Sequence, residues 1–189
     1  MASAAAASAA AAALVTAAPA AAGGRHCPRC GGRTGPLPAV CGACGYQAFL
    51  NPRPTGSAII LDGDRFLAIL RARPPRAGWW DLPGGFCDGF EHPADAAVRE
   101  AREELGVEIE LGEFAGMYIG TYEFQDEPLP ILDCFWVARI TAGEITLDPS
   151  EGTEYTWLPL TDPPEMAFPT MDVALRNPLV RASSSRLAS

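Results

Sequence analysis

Positive charge is what this sequence has little of. Its 14 basic residues stand against 23 acidic ones, for a net charge of −9 at pH 7, and a chain so acidic lacks the electrostatic footprint of a nonspecific nucleic-acid binder. A long RNA or DNA substrate is disfavoured, and nucleic acid is not an expected partner; a small phosphorylated ligand, by contrast, arrives already screened by metal. Long apolar runs are missing too. Beyond the first few dozen residues no stretch of about eighteen strongly apolar residues occurs, so no transmembrane helix and no membrane partner are expected. Met1 to Gly24 is nearly all alanine, with Leu14 and Val15 as its strong hydrophobes. Its Ala-Ala-Pro-Ala-Ala-Ala stretch imitates a cleavage region, but the basic n-region of a secretory signal is absent. The reading is a disordered tail over residues 1–24 and a cytoplasmic protein.

The 189 residues and 48% hydrophobic content suffice for a core in one domain of about 130 residues with appendages. The first appendage is set by cysteine spacing. Cys27-Pro-Arg-Cys30, ten residues, then Cys41-Gly-Ala-Cys44 place two thiolate pairs on Gly- and Pro-assisted knuckles, which close an S4 site suited to zinc. Two disulfides or a redox Cys-x-x-Cys are the alternatives, disfavoured by two such pairs in a chain that reads as intracellular. A zinc ribbon over residues 25–50 has almost no core, so the structural zinc supplies its folding energy. His26 adjoins a complete shell and is a bystander. Arg25, Arg29 and Arg33 form a weak local basic patch, so a nucleic-acid adaptor is the remote reading of the ribbon. Cys87 and Cys134 read as small core hydrophobes.

After the ribbon, Asn51 to Pro54 is a stiff linker into a main domain over residues 51–180. Ser57 to Leu61 and Arg65 to Ala72 read as a hairpin around Asp62-Gly63-Asp64. Arg71, Arg73 and Arg76 follow, and their forked guanidinium groups suit a diphosphate. Phe114 to Phe124 and Ile131 to Ile140 read as a second strand pair, Ile145 to Leu147 and Tyr155 to Leu158 as further short strands, and Met171 to Arg176 as a closing helix. Tyr118, Tyr122 and Phe124 alternate on one face and are candidates for stacking a base, Tyr118 first among them. Residues 181–189, rich in serine, read as a disordered tail.

Between the strand pairs lies the stretch that carries chemistry. Gly84 and Gly85 form a turn, a loop runs to Glu91, and good helix formers run from Ala94 to Leu105 until Gly106 stops them. Residues three and four apart share a helix face, so Glu100, Glu103 and Glu104 project together with Arg99 beside them. Like charges in that spacing repel, and a hard divalent cation that takes oxygen ligands reverses the sign.

The pattern formed by Gly85, Glu91, Arg99, Glu100, Glu103, Glu104, Gly106 and Val107 resembles the Nudix box of pyrophosphohydrolases acting on nucleoside diphosphates linked to another moiety. Ala101 stands where a larger aliphatic is usual, which touches packing and not the carboxylates. The resemblance implies an α/β fold, an α/β/α sandwich around a mixed sheet, here preceded by the ribbon. It implies Mg2+ or Mn2+ held by the Gly84 carbonyl with Glu100, Glu103 and Glu104, and Glu100 as the group that activates water; in other members a later loop supplies that base, for which Glu151 and Glu154 are placed, Glu154 chosen. Glu91 and Arg99 hold each other, and Gly85 and Gly106 shape the loop and the stop. The expected substrate is a small nucleotide derivative of the ADP-ribose or dinucleotide kind, gripped by Arg71 and Arg73 and stacked by Tyr118. A ribbon before a box is similar to bacterial NADH pyrophosphatases, but Gly112 to Pro130 contains nothing like their Ser-Gln-Pro-Trp-Pro-Phe-Pro signature, which demotes NADH. A nucleoside-triphosphate pyrophosphatase and a non-catalytic nucleotide-sensing module are the alternatives, and a homodimer is left open.

Overall fold

The computed structural model describes residues 25–125 and 127–187; the tail expected over 1–24 lies outside them. The cysteine-rich segment forms two hairpins, β1 (Arg25–His26) with β2 (Arg33–Thr34) and β3 (Ala39–Val40) with β4 (Gln47–Ala48). Each knuckle repeats one backbone pattern. Gly31 N–H donates to Cys27 O and Gly45 N–H to Cys41 O, with both glycines at φ 72°, a left-handed conformation that costs glycine little. Among its described side chains only Cys27, Cys41 and Ala48 belong to the buried apolar set.

The larger body is built from β5 (Arg53–Asp62), β6 (Arg65–Arg71), β7 (Trp80–Asp81), β8 (Gly84–Phe86), helix α1 (Pro93–Leu105), β9 (Glu108–Phe124), β10 (Glu127–Ala142), β11 (Gly152–Pro159) and helices α2 (Pro169–Leu175) and α3 (Pro178–Leu187). The strand order is β11-β6-β5-β10-β9, with β7 on β6 and β8 on β5; β5 and β10 run parallel and the other pairs antiparallel, so the sheet is mixed. β5 shows why a continuous apolar run becomes a central strand. Ala58 and Ile60 face Ala101 and Leu105 of α1, while Ile59 and Leu61 face Met171, Leu175 and Val180 of α2 and α3. Both faces are covered, and the architecture is an α/β/α sandwich.

Several expectations are corrected. Asn51 to Pro54 is not all linker, because Arg53 and Pro54 already pair with Ile131 and Leu132 in the sheet. The hairpin of β5 and β6 pairs only at its tip, Leu61 with Phe66 and Asp62 with Arg65, after which β5 turns to β10 and β6 to β11. β9 and β10 extend well past the expected strands, and Pro128 and Pro130 are tolerated because they precede Ile131, where β5 joins; there β10 has β9 on one side alone. Ile145 to Leu147 is not a strand. Thr146 N–H donates to Leu105 O and Asp148 N–H to Glu104 O, so the segment satisfies the last carbonyls of α1 instead of a ladder. Residues through Leu187 are helical where disorder was expected from 181 onward. Val180 is fully buried, Ser183 bonds Glu113, and Ser184 bonds Gly63 O, so the small serines allow close approach and find partners there.

One position fixes how α1 sits. A Cβ on Gly56 would overlap Pro93 O and press on Ala97 N, so the strand can meet the helix only without a side chain. Gly56→Ala is expected to cost about 3 kcal/mol, at the upper end for overpacking, read as a lowered urea midpoint with unchanged m-value.

Candidate active site

Helix α1 begins where His92, in extended conformation, accepts the Ala94 N–H on Nδ1 (3.1 Å), with Pro93 at the first helical position; it ends where Gly106 adopts φ 68°. Ala96, Ala97, Ala101 and Leu105 turn inward. Ala101, fully buried against Ile60 and Ile69, keeps the helix close to the sheet. The opposite stripe carries Arg99, Glu100, Glu103 and Glu104.

Arg99 organises that stripe. Its Nε and Nη2 bond both oxygens of Glu91 (2.9 Å each), Nη2 also bonds Phe86 O (3.0 Å), and Nη1 bonds Glu100 (2.7 Å) and Glu103 (3.0 Å). A single guanidinium thereby ties loop to helix. The bond to Arg99, with the Asp88 N–H, holds the Glu91 carboxyl down at about 2, and Arg99 is pushed above its ordinary value, chiefly by Glu91.

The two deeper carboxylates, Glu104 and Glu100, are both shifted in the direction opposite to Glu91. Glu104 accepts the Gly84 N–H (3.0 Å), yet burial drives its carboxyl well above the usual range, and the negative charges of Asp81, Glu100 and Glu151 push the same way. Burial also raises Glu100; Arg99 opposes it, and Glu103 and Glu151 add to it. Glu103 is 59% exposed against 16% for Glu100. Glycine makes the approach feasible: a Cβ on Gly85 would overlap Glu100 Oε1, and one on Gly84, at φ 155°, would overlap Ser57 and Gly56 O.

A small pocket opens beside Glu104, lined by Arg71, Arg73, Asp81, Leu82 and Glu151. It gathers anions with no cation but the two arginines, and every carboxylate is a hard oxygen donor, the set that Mg2+ or Mn2+ takes. The carboxylate oxygens suit such an ion in kind, although among the described residues the four ribbon cysteines alone have their ligand atoms gathered within 4.8 Å, and Glu100 and Glu103 are held by Arg99.

Asp81 had no role in the sequence reading. It is buried on β7, ion-paired to Arg71 Nη1, and accepts the Leu82 N–H (2.9 Å); burial raises its carboxyl and Arg71 opposes. Arg71 is also engaged by Pro75 O (2.9 Å) and lies 5.2 Å over the Phe168 ring. Burial lowers it, and Asp81 with Tyr122 more than restores it. Its fork is largely spent on structure, whereas Arg73 is 59% exposed, meets the exposed Glu151 at 3.4 Å and helps to lower the Asp148 carboxyl. Arg76 lies over Trp79.

The later carboxylate brought to the pocket is Glu151, not Glu154, which registers opposite Leu70 beyond an irregularity at Gly152 and is exposed. The aromatic at the site is Tyr122, stacked on Phe168 (5.5 Å) and edge-on to Phe86 (5.3 Å), whereas Tyr118 packs against Phe135 in the core. Phe86 and Phe168 carried no signal in the sequence beyond being aromatic.

The second candidate centre is the ribbon. Among the described residues, Cys27, Cys30, Cys41 and Cys44 are the group whose ligand atoms all lie within 4.8 Å of one another. The sulfurs stand 3.7 Å (Cys27 to Cys44) and 3.6 Å (Cys30 to Cys41) apart, too far for disulfides. Zinc at about 2.3 Å from four tetrahedral sulfurs would space them about 3.8 Å apart, so the cluster fits it.

The NUDIX domain model matches residues 51–178. A NAD-capped RNA hydrolase NudC from Stutzerimonas stutzeri is 30% identical over 149 residues, covering 75% of this chain and 50% of that protein. An ADP-ribose pyrophosphatase from Methanocaldococcus jannaschii is 27% identical over 123 residues, covering 65% of this chain and 71% of its own. Thus the chain spans about half the length of the NudC relative. Among solved structures, a MutT NUDIX hydrolase from Burkholderia pseudomallei superposes with TM-score 0.60 at 29% identity, covering 68% of this chain and 98% of that one. A NUDIX hydrolase from Nitrosomonas europaea gives TM-score 0.64 at 22% identity, covering 80% and 89%, which speaks to fold alone. With the family domain matched over residues 51–178 and the box glycines set directly against Glu100 and Glu104, the protein belongs to the NUDIX hydrolases.

Proposed function

We propose that the protein is a divalent-metal-dependent pyrophosphohydrolase that cleaves the diphosphate of a nucleoside diphosphate linked to a second moiety, with ADP-ribose-like compounds preferred. The observation that carries this reading is the pocket in which Glu104, Asp81 and Glu151 face Arg71 and Arg73. Mg2+ or Mn2+ bound by Glu100, Glu103, Glu104 and the Gly84 carbonyl would neutralise phosphate oxygens and lower the pKa of a bound water. Arg73 would exchange its exposed partner Glu151 for a phosphate, and Arg71 would hold Phe168 and Asp81 in place. The aromatic group of Phe86, Tyr122 and Phe168 adjoins this pocket through Arg71 and suits a planar or sugar-bearing end group better than a bare triphosphate tail. The names of two relatives support the class, since ADP-ribose and the NAD cap each carry a diphosphate joining two larger parts.

Purified protein with magnesium is expected to convert ADP-ribose to AMP and ribose 5-phosphate, identified by mass, faster than it cuts NADH, ADP-sugars, diadenosine polyphosphates or 8-oxo-dGTP. Exclusive release of pyrophosphate from a triphosphate would reverse the substrate ranking, and no cleavage of any phosphoanhydride would end the proposal. Glu100, tethered by Arg99 and raised by burial, is the candidate base, and Glu151 the competing one. Glu100→Gln is expected to lower kcat by about 10^2 to 10^4-fold, the range of a general base, with Glu151→Gln mild. A severe Glu151→Gln beside a mild Glu100→Gln would move the base to the later segment.

A further inference from the structure

We infer that the ribbon carries a binding surface for single-stranded nucleic acid, separate from the carboxylate pocket and independent of the reading given to it. The whole-chain charge that argues against such a partner is an average over two very different parts. No aspartate or glutamate precedes Asp62, so all 23 acidic residues fall on the larger body, together with eleven of the 14 arginines. Arg25, Arg29 and Arg33 belong to the ribbon. A zinc ion with four thiolates contributes two negative charges, leaving the ribbon positive. At physiological salt, charges further apart than about 8 Å are largely screened, so a ligand on the ribbon meets the local sign and not the net one.

Charge alone describes a solvated face; the structure adds stacking surface. Phe49 is 58% exposed and Tyr46 38%, in a segment with few other ways to spend them. Both line a groove of about 380 Å³ together with Arg25, His26 and Leu37. Arg33 lies opposite His26 across the β1 and β2 pair, and Arg29 is exposed on the first knuckle between Cys27 and Cys30. Open aromatic faces interleaved with arginines fit a strand whose phosphates meet guanidinium groups and whose unpaired bases lie on rings; duplex DNA would hide those bases. The same groove offers nothing acidic for a cationic partner, and a second copy would bring aromatic surface only by covering its own.

The test uses the full chain with its zinc in place and a fluorescein-labelled RNA of about 12 nucleotides, oligo(U) or oligo(A), read by anisotropy. Binding is expected to weaken with salt with a slope of about −2 in log K against log salt, as three phosphate contacts on a single strand give. Arg29→Glu and Phe49→Ala are each expected to weaken binding about tenfold, while zinc content and cleavage of ADP-ribose stay unchanged; Arg29→Lys should restore most of the affinity. Salt-independent binding, unchanged affinity in both variants, or no binding at 50 mM salt would overturn the assignment. Sedimentation showing that Phe49→Ala dissociates a dimer, with RNA unbound, would overturn it in favour of a second copy as the occupant.

Discussion

Stripping the cysteine cluster of zinc, or replacing Cys27 and Cys41 by serine, is expected to unfold residues 25–50 and leave the larger body folded. Two-residue strands pairing only within their own hairpins cannot hold a chain together, and the buried apolar set there is Cys27, Cys41 and Ala48. The metal must therefore supply the folding energy, about 10–16 kcal/mol in apparent terms for structural zinc at neutral pH. Without the ion, the four sulfurs crowd one another. The Ala43 and Cys44 backbone N–H groups pull the Cys41 thiol down to about 7, while Cys44 is pushed up to about 12: the Tyr46 N–H works against that rise, but Cys30, burial, Cys27 and Cys41 outweigh it. Cys41 thus gives up its proton the more readily of the two, and Cys44 the less. Hydrogen exchange after chelation should show residues 25–50 losing all protection, with β5 to α3 unchanged, and elemental analysis of untreated protein should give one zinc per chain. Protein purified without chelator that contains no zinc would reject the centre; loss of protection throughout would show that the ribbon is not a separate unit.

What could be read from the sequence was whatever a single element decides. Glu100, Glu103 and Glu104 share a stripe because they share a helix, and the knuckles are set by cysteine spacing within a few residues. The run from Ser57 to Leu61 was legible as a strand, but not that helices cover both of its faces. What escaped depends on how distant strands register. Asp81 matters because β7 pairs with β6 and sets it beside Arg71, and nothing in Trp80-Asp81-Leu82 announces that. Glu151 and Glu154 look equivalent, and both are exposed, but an irregularity between Gly152 and Glu154 separates them and only Glu151 lines the pocket. Tyr118 and Tyr122 lie on one face by period two, yet only Tyr122 is far enough along β9 to meet Phe86 and Phe168. Ile145 and Leu147 have strand-like composition, but the open carbonyls of a helix end claimed the neighbouring backbone N–H groups.

Replacing Glu104 by glutamine is expected to abolish metal-dependent turnover and, without metal, to stabilise the fold. Both follow from one feature: the carboxylate is buried beside Asp81, Glu100 and Glu151, with the Gly84 N–H as its hydrogen-bond donor. If it ligates the catalytic cation, its loss withdraws several kcal/mol of charge stabilisation, a fall in kcat on the order of 10^3-fold. The amide fills the same volume and still accepts the Gly84 N–H through its oxygen, so packing is kept while repulsion is relieved. The sign with pH is fixed by the direction of the shift. Because the Glu104 carboxyl is raised in the folded protein, the folded state binds its proton more tightly than the unfolded chain does. Its contribution is fully present below the ordinary glutamate range and is lost as pH rises through the elevated folded value. Metal-free wild type should therefore gain stability relative to Glu104→Gln as pH falls from neutral toward 4.5, the value from which the carboxyl is raised. Magnesium should raise the neutral-pH Tm of wild type and leave that of the variant nearly unmoved. Thermal melts of both proteins across pH, with and without magnesium, decide it: near-normal turnover in Glu104→Gln, or a variant less stable than wild type at neutral pH without metal, would remove Glu104 from the metal site.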